Sequence, residues 1–137
     1  MKENTNLIHL LNQTVRLLNK RTNETLQEFG LFHSQWTILY CLQKKGSMTQ
    51  TEICKYLNVE PPTVTRTIRK LEENGWVFRT KGQDKRENMI GLSGYAQHNM
   101  EAIREKIHAF ETLQLQSVDD SEAAVLEIIL KKIMKEA

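Results

Sequence analysis

Two adjacent prolines, Pro61-Pro62, stand between two short helical patterns and prevent one helix from running through both. A proline has no N–H to donate inside a helix, but the N–H groups of a helix's first turn have no intrahelical acceptor anyway, so the pair suits a helix start. The segment before the prolines carries its own start signal, Thr49 with Glu52 three residues later, which is a capping-box pattern. Ile53 and Leu57 lie one turn apart in it, and Asn58 suits its C-cap. After the prolines a second helix runs to Asn74, where Gly75 ends it. The chain must therefore fold two short helices across a tight break.

A hairpin comes next. Trp76 to Lys81 reads as a strand, Gly82-Gln83-Asp84-Lys85-Arg86 as its turn, and Glu87 to Leu92 as the returning strand. Two helices precede the unit. The first runs from about Thr5 to Phe29, with Leu7, Ile8, Leu11, Val15, Leu18 and Leu26 at three- and four-residue steps and Gly30 beyond it. The second runs from Leu31 to Lys45 and ends at Gly46. It carries Trp36, Ile38, Leu39, Tyr40 and Leu42 on more than one side, so it should be central. Two more helices close the chain. Ser93 can cap one running through Ile103, Ile107, Phe110 and Leu113, and Asp119 with Glu122 can cap another carrying Val125, Leu126, Ile129, Leu130 and Ile133. The expected class is mainly α (α+β), in the order α-α-α-α-β-β-α-α. That order is what a winged helix-turn-helix needs to place one helix in a DNA groove and a charged hairpin beside it.

Composition narrows the function classes. With 39% hydrophobic and 26% charged residues, the 137-residue chain is that of a globular domain and too apolar for a disordered one. The net charge of +2 is unevenly spread. Between Pro61 and Arg86, seven basic residues (Arg66, Arg69, Lys70, Arg79, Lys81, Lys85, Arg86) face three acidic ones (Glu72, Glu73, Asp84), a net of +4 that leaves the remainder at −2. Cys41 and Cys54 make no disulfide framework. No signal peptide and no membrane-length apolar run is evident, so a cytoplasmic protein without membrane contact is expected. A Gly-rich phosphate loop, a nucleophile–base pair and a metal-ligand cluster are all lacking, which argues against an enzyme and against a cofactor.

On a helical wheel, Val64, Ile68 and Leu71 fall in one sector, and Pro62, Thr63, Arg66, Arg69 and Lys70 fall opposite, with Glu73 among them. Arg can bond guanine edges bidentately, and both Arg and Thr can take phosphates. The same charge pattern also describes a merely solvated face. In the hairpin, Lys81, Lys85 and Arg86 could reach phosphates or a narrow minor groove, and Asp84 could support the wing by holding Arg86. An exposed hairpin charged for solubility is the alternative. Gln50, at the start of the third helix, is the phosphate candidate there, while the Thr49 hydroxyl serves as a cap. With Thr65, these residues make up the candidate DNA-contacting set.

The sequence resembles the MarR family of bacterial transcription regulators. The resemblance rests on Thr49-Gln50-Thr51-Glu52-Ile53, Thr63-Val64-Thr65-Arg66, Leu71-Glu72-Glu73-Asn74-Gly75, Arg79, Asp84-Lys85-Arg86 and Leu92-Ser93, with Gln35-Trp36 in the second helix. Ser93 and Ala96 depart from the Thr and Gly that the family usually carries there. The resemblance implies a single MarR-like chain over residues 1–137, with a winged DNA-binding unit at 31–92 and dimerisation helices at 1–30 and 93–137. It implies a homodimer that binds double-stranded DNA at a pseudo-palindromic operator, as a repressor, and a small aromatic ligand as the usual effector. Arg16, Trp36 and Tyr40 are the candidates to line that ligand's site. Peroxide-sensing relatives carry a Cys near the start of the first helix, and this chain has none there. His9, His33, His98 and His108 form no i, i+4 pair of the kind that clamps a metal. A redox- or metal-responsive regulator, and a winged module used only for protein contact, stand as the alternative functions.

Overall fold

The computed structural model describes residues 4–81 and 88–135. Helix α1 spans Asn4–Leu26 and runs into a 3-10 turn, Gln27–Phe29, closed by Gly30 in the left-handed conformation (φ 69°). Helix α2 is His33–Lys45, strand β1 is Met48–Thr49, α3 is Gln50–Leu57 and α4 is Pro61–Glu73. Strands β2 (Val77–Lys81) and β3 (Asn88–Leu92) pair antiparallel, and α5 (Gly94–Gln114) and α6 (Asp120–Lys135) complete the chain. No helix among the described residues is long and apolar enough to cross a membrane.

The winged helix-turn-helix order is present, with one element added. β1 pairs with β3, so the sheet has three strands in the order β1-β3-β2, with Met48 opposite Ile90 and Ile90 opposite Arg79. β1 covers one edge of the hairpin and ties it to the start of α3. Helix α2 begins two residues later than its apolar pattern suggests. Leu31 is buried ahead of the helix. The N–H of Phe32 donates to the Gln35 side chain at 2.9 Å, and that of His33 to Asn23 Oδ1 of α1 at 2.7 Å.

The core forms where α2, α3, α4, the sheet and α5 meet. Ile38 and Leu39 from α2, Ile53 from α3, Val64, Ile68 and Leu71 from α4, Ile90 from β3, and Met100 and Ile103 from α5 are all buried. Each such side chain removed from water contributes roughly 1.5–3 kcal/mol. The second helix is thus central, as its apolar residues on several sides suggest. The terminal helices differ. α1 lies along α5, joined to it by Arg21 to Gln114 at 2.7 Å, and Glu28 of the 3-10 turn pairs with Lys106 at 3.2 Å. Yet Leu7, Ile8 and Val15 of α1 are exposed, and so is every described residue of α6, including Val125, Leu126, Ile129, Leu130 and Ile133.

Candidate nucleic-acid interface

The α3–α4 corner is built from its caps. Thr49 Oγ1 accepts the N–H of Glu52 at 3.1 Å, and Glu52 Oε1 accepts that of Thr49 at 2.8 Å. The bond from the Thr49 N–H, with one from its hydroxyl, holds the Glu52 carboxyl below the usual carboxylate range. This reciprocal box occupies the N–H of Glu52. The N–H groups of Gln50 and Thr51, in the first turn, have no acceptor within the helix and carry its positive dipole end. Asn58 closes α3 in the left-handed conformation (φ 57°), and Pro61 takes the first position of α4. Gly75 (φ 80°) ends α4, with the Trp76 N–H donating to the Leu71 carbonyl at 2.9 Å.

The two faces of α4 separate as the wheel requires. Val64, Ile68 and Leu71 are at most 1% exposed, while Pro62, Thr63, Arg66, Arg69, Lys70 and Glu73 are all open to solvent. Thr63 Oγ1 lies 3.4 Å from Arg66 Nη2 and so leans the guanidinium back along the helix. Among the described residues, no carboxylate forms an ion pair with Arg66, Arg69 or Lys70. Arg79 is different: its Nε binds Glu72 Oε1 at 3.0 Å, which fastens β2 to the end of α4. Lys81 is exposed at the end of β2, opposite Asn88. Lys85, Arg86 and Asp84, the remainder of the expected wing set, lie outside the described residues, as does the Gly82–Arg86 turn.

Two expected contact residues turn toward each other. Gln50, half-buried, donates from Nε2 to Thr65 Oγ1, and the Thr65 hydroxyl donates to the Pro61 carbonyl at 2.8 Å. Sequence spacing carries no sign of this pairing, because the partners are fifteen residues apart on different helices.

A cleft of about 870 Å³ lies between α2 and α5. Trp36 and Tyr40 line it, their ring centroids 5.8 Å apart, together with Met100, Arg104 and Ile107. Arg16, on the exposed side of α1, is not among its lining residues. The Cys41 thiol is buried, bonded to the Ile38 carbonyl at 3.2 Å, and pushed up to about 11 by burial, which keeps it protonated and a poor nucleophile. Cys54 is partly buried. Among the described residues, no group of three His, Cys, Asp or Glu side chains is placed to hold a metal ion.

The MarR family model matches residues 31–87. YwoH of Bacillus subtilis (strain 168), described as an uncharacterized HTH-type transcriptional regulator, is 47% identical over 133 residues, 97% of either chain. The structure is also similar to overoxidized AbfR of Staphylococcus epidermidis bound to DNA: 26% identity, TM-score 0.79, covering 96% of this chain and 91% of that one. A cysteine-to-serine mutant of MarR from Escherichia coli, complexed with operator DNA, is 26% identical with a TM-score of 0.82, covering 94% of this chain and 91% of that one. The fold, the cap-and-proline corner and these likenesses agree, and the chain belongs to the MarR family of transcriptional regulators.

Proposed function

We propose that this chain is a cytoplasmic homodimeric repressor that reads a pseudo-palindromic operator in double-stranded DNA and releases it when a small aromatic ligand binds. The observation that carries the reading is the division of α4: an apolar line at most 1% exposed, and opposite it Thr63, Arg66, Arg69 and Lys70, open to solvent. Such a helix enters a major groove with its cations toward base edges and phosphates. Lys81, Lys85 and Arg86 then serve as the wing's phosphate or minor-groove contacts, with Asp84 supporting them. The N–H groups at the start of α3 offer one more phosphate site. The similarity to DNA-bound AbfR and operator-bound MarR supports this use of the unit.

In this reading residues 31–92 form the DNA-binding unit, and residues 1–30 and 93–137 pair two copies. The apolar residues left open on α1 and α6 support pairing, because a single copy would present them all to water. A two-fold dimer sets two α4 helices on successive major grooves, about 10 bp apart. The cleft beside Trp36 and Tyr40 is the ligand's place, between the dimer helices and the winged unit, where an occupant can change the spacing of the two α4 helices.

The test is selection of bound sequences from a random duplex library. An inverted repeat with half-sites about one helical turn apart is the expected product. Recovery of unrelated sequences would favour a module for protein contact instead.

A further inference from the structure

Helix α3 has few anchors. Of its eight residues only Ile53 is fully buried, with Cys54 and Leu57 packed partly against the core. Its junction with α4 is held by backbone at Asn58 and Val59, both of whose N–H groups reach the Cys54 carbonyl. At the other end of α3, away from that junction, stands a side-chain relay. Gln50 Nε2 donates to Thr65 Oγ1, and the Thr65 hydroxyl donates onward to the Pro61 carbonyl.

The relay has a defined sense. The Thr65 proton goes to Pro61, so Gln50 must be the donor to Thr65, and the amide is thereby fixed in one orientation. Gln50 is the first residue of α3, and Thr65 lies one turn beyond Pro61, the first residue of α4. The bond therefore ties the first turn of α3 to the second turn of α4, at the end of α3 away from the Asn58–Val59 junction. Thr65 sits between Val64, which is buried, and Arg66, which is exposed, so it lies on the border between the core face and the outer face of α4.

We propose that Gln50 and Thr65 are positioning residues for DNA reading: a latch that fixes the angle of α4 on α3 and so aims Thr63 and Arg66, without either latch side chain touching phosphate. This rests on the reading that α4 contacts DNA. Long Lys and Arg side chains can follow a phosphate through a small change of helix angle, whereas a bidentate base contact cannot. Losing the latch should therefore cost sequence discrimination before it costs general affinity.

The test compares Gln50→Ala, Thr65→Val, the double variant and Thr65→Ser on the selected operator and on random duplex, across a series of salt concentrations. Both of the first two lose the Gln50–Thr65 bond, and each should weaken operator binding about five- to tenfold. Random-duplex binding and the salt slope should stay at wild-type values. The double variant should lose no more than the larger single loss, because both variants break the same Gln50–Thr65 bond. Thr65→Ser keeps the hydroxyl and should bind as wild type. Gln50→Ala alters a half-buried side chain and serves even where Thr65→Val fails to fold. A salt slope lowered by about one in Gln50→Ala, with Thr65→Val unaffected, would make Gln50 a phosphate contact and overturn the latch. Additive losses, or none, would overturn it as well. Wild-type protein that selects no duplex sequence would refute the DNA reading itself, whereas a binding wild type with indifferent variants refutes the latch alone.

Discussion

The Ser93 hydroxyl donates to the Gly75 carbonyl at 2.6 Å and accepts the Ala96 N–H at 3.1 Å. One side chain thus joins the turn that ends α4 to the cap that begins α5. The Ser93 N–H adds a bond to the Trp76 carbonyl at 3.0 Å, and the Trp76 ring stacks edge-on against Tyr95 at 4.8 Å. This corner therefore couples the winged unit to the start of the long helix behind it, beside the shared core that Met100 and Ile103 of that helix enter. Ser93→Ala should lower stability by about 1–2 kcal/mol, from a lost cap and a carbonyl left without its donor. Urea unfolding at fixed protein concentration measures it. A loss below about 0.3 kcal/mol would show that water replaces the hydroxyl there.

His33 links α1 and α2. Its N–H donates to Asn23 Oδ1 at 2.7 Å, and its ring Nδ1 lies 3.2 Å from the same oxygen. Burial lowers its pKa from the ordinary 6.5. The unfolded chain thus takes up the proton more readily than the folded one. The His33 contribution to stability is complete above about pH 6.5 and is lost as pH falls through the lower folded value. His33→Gln should lose less stability than wild type between about pH 7.5 and pH 5.5. Equal losses in the two proteins would mean that other groups carry the whole pH dependence.

Local chemistry made much of this fold legible in the sequence. Thr49 with Glu52, Asp119 with Glu122, Ser93, Asn58, Pro61 and Gly75 all sit where the caps and breaks required, because each satisfies backbone groups within a few residues of itself. The α4 face divided as the wheel implied. The illegible parts depend on partners far along the chain. β1 is two residues long, too short for any alternation to show, and exists because β3 has a free edge beside it. The start of α2 moved to His33 because Asn23, on another helix, supplies an acceptor. Gln50 and Thr65 stand in the sequence as separate DNA-contact candidates, and only the packing of α3 on α4 brings them together.

Ile129 stands exposed on α6 in a helix with no buried residue. If that face pairs two copies, Ile129→Glu places a charge in an apolar interface. It should shift the protein toward monomer in sedimentation and weaken operator binding at least tenfold, since a single unit holds only one half-site. An unchanged sedimentation profile would remove α6 from the interface.

The wing makes a separate claim on salt. Arg86→Ala should weaken binding to every duplex by a similar factor and lower the slope of log affinity against log salt by about one. If neither changes, the hairpin does not reach the backbone.

The central claim is that the outer face of α4 reads bases, and Arg66 tests it most directly. The affinities of wild type and Arg66→Ala should be measured on the selected operator and on random duplex at one salt concentration. A base-reading Arg66 predicts a loss of about 1–3 kcal/mol on the operator and a markedly smaller loss on random duplex. Equal losses on both would contradict it and leave Arg66 as a phosphate contact.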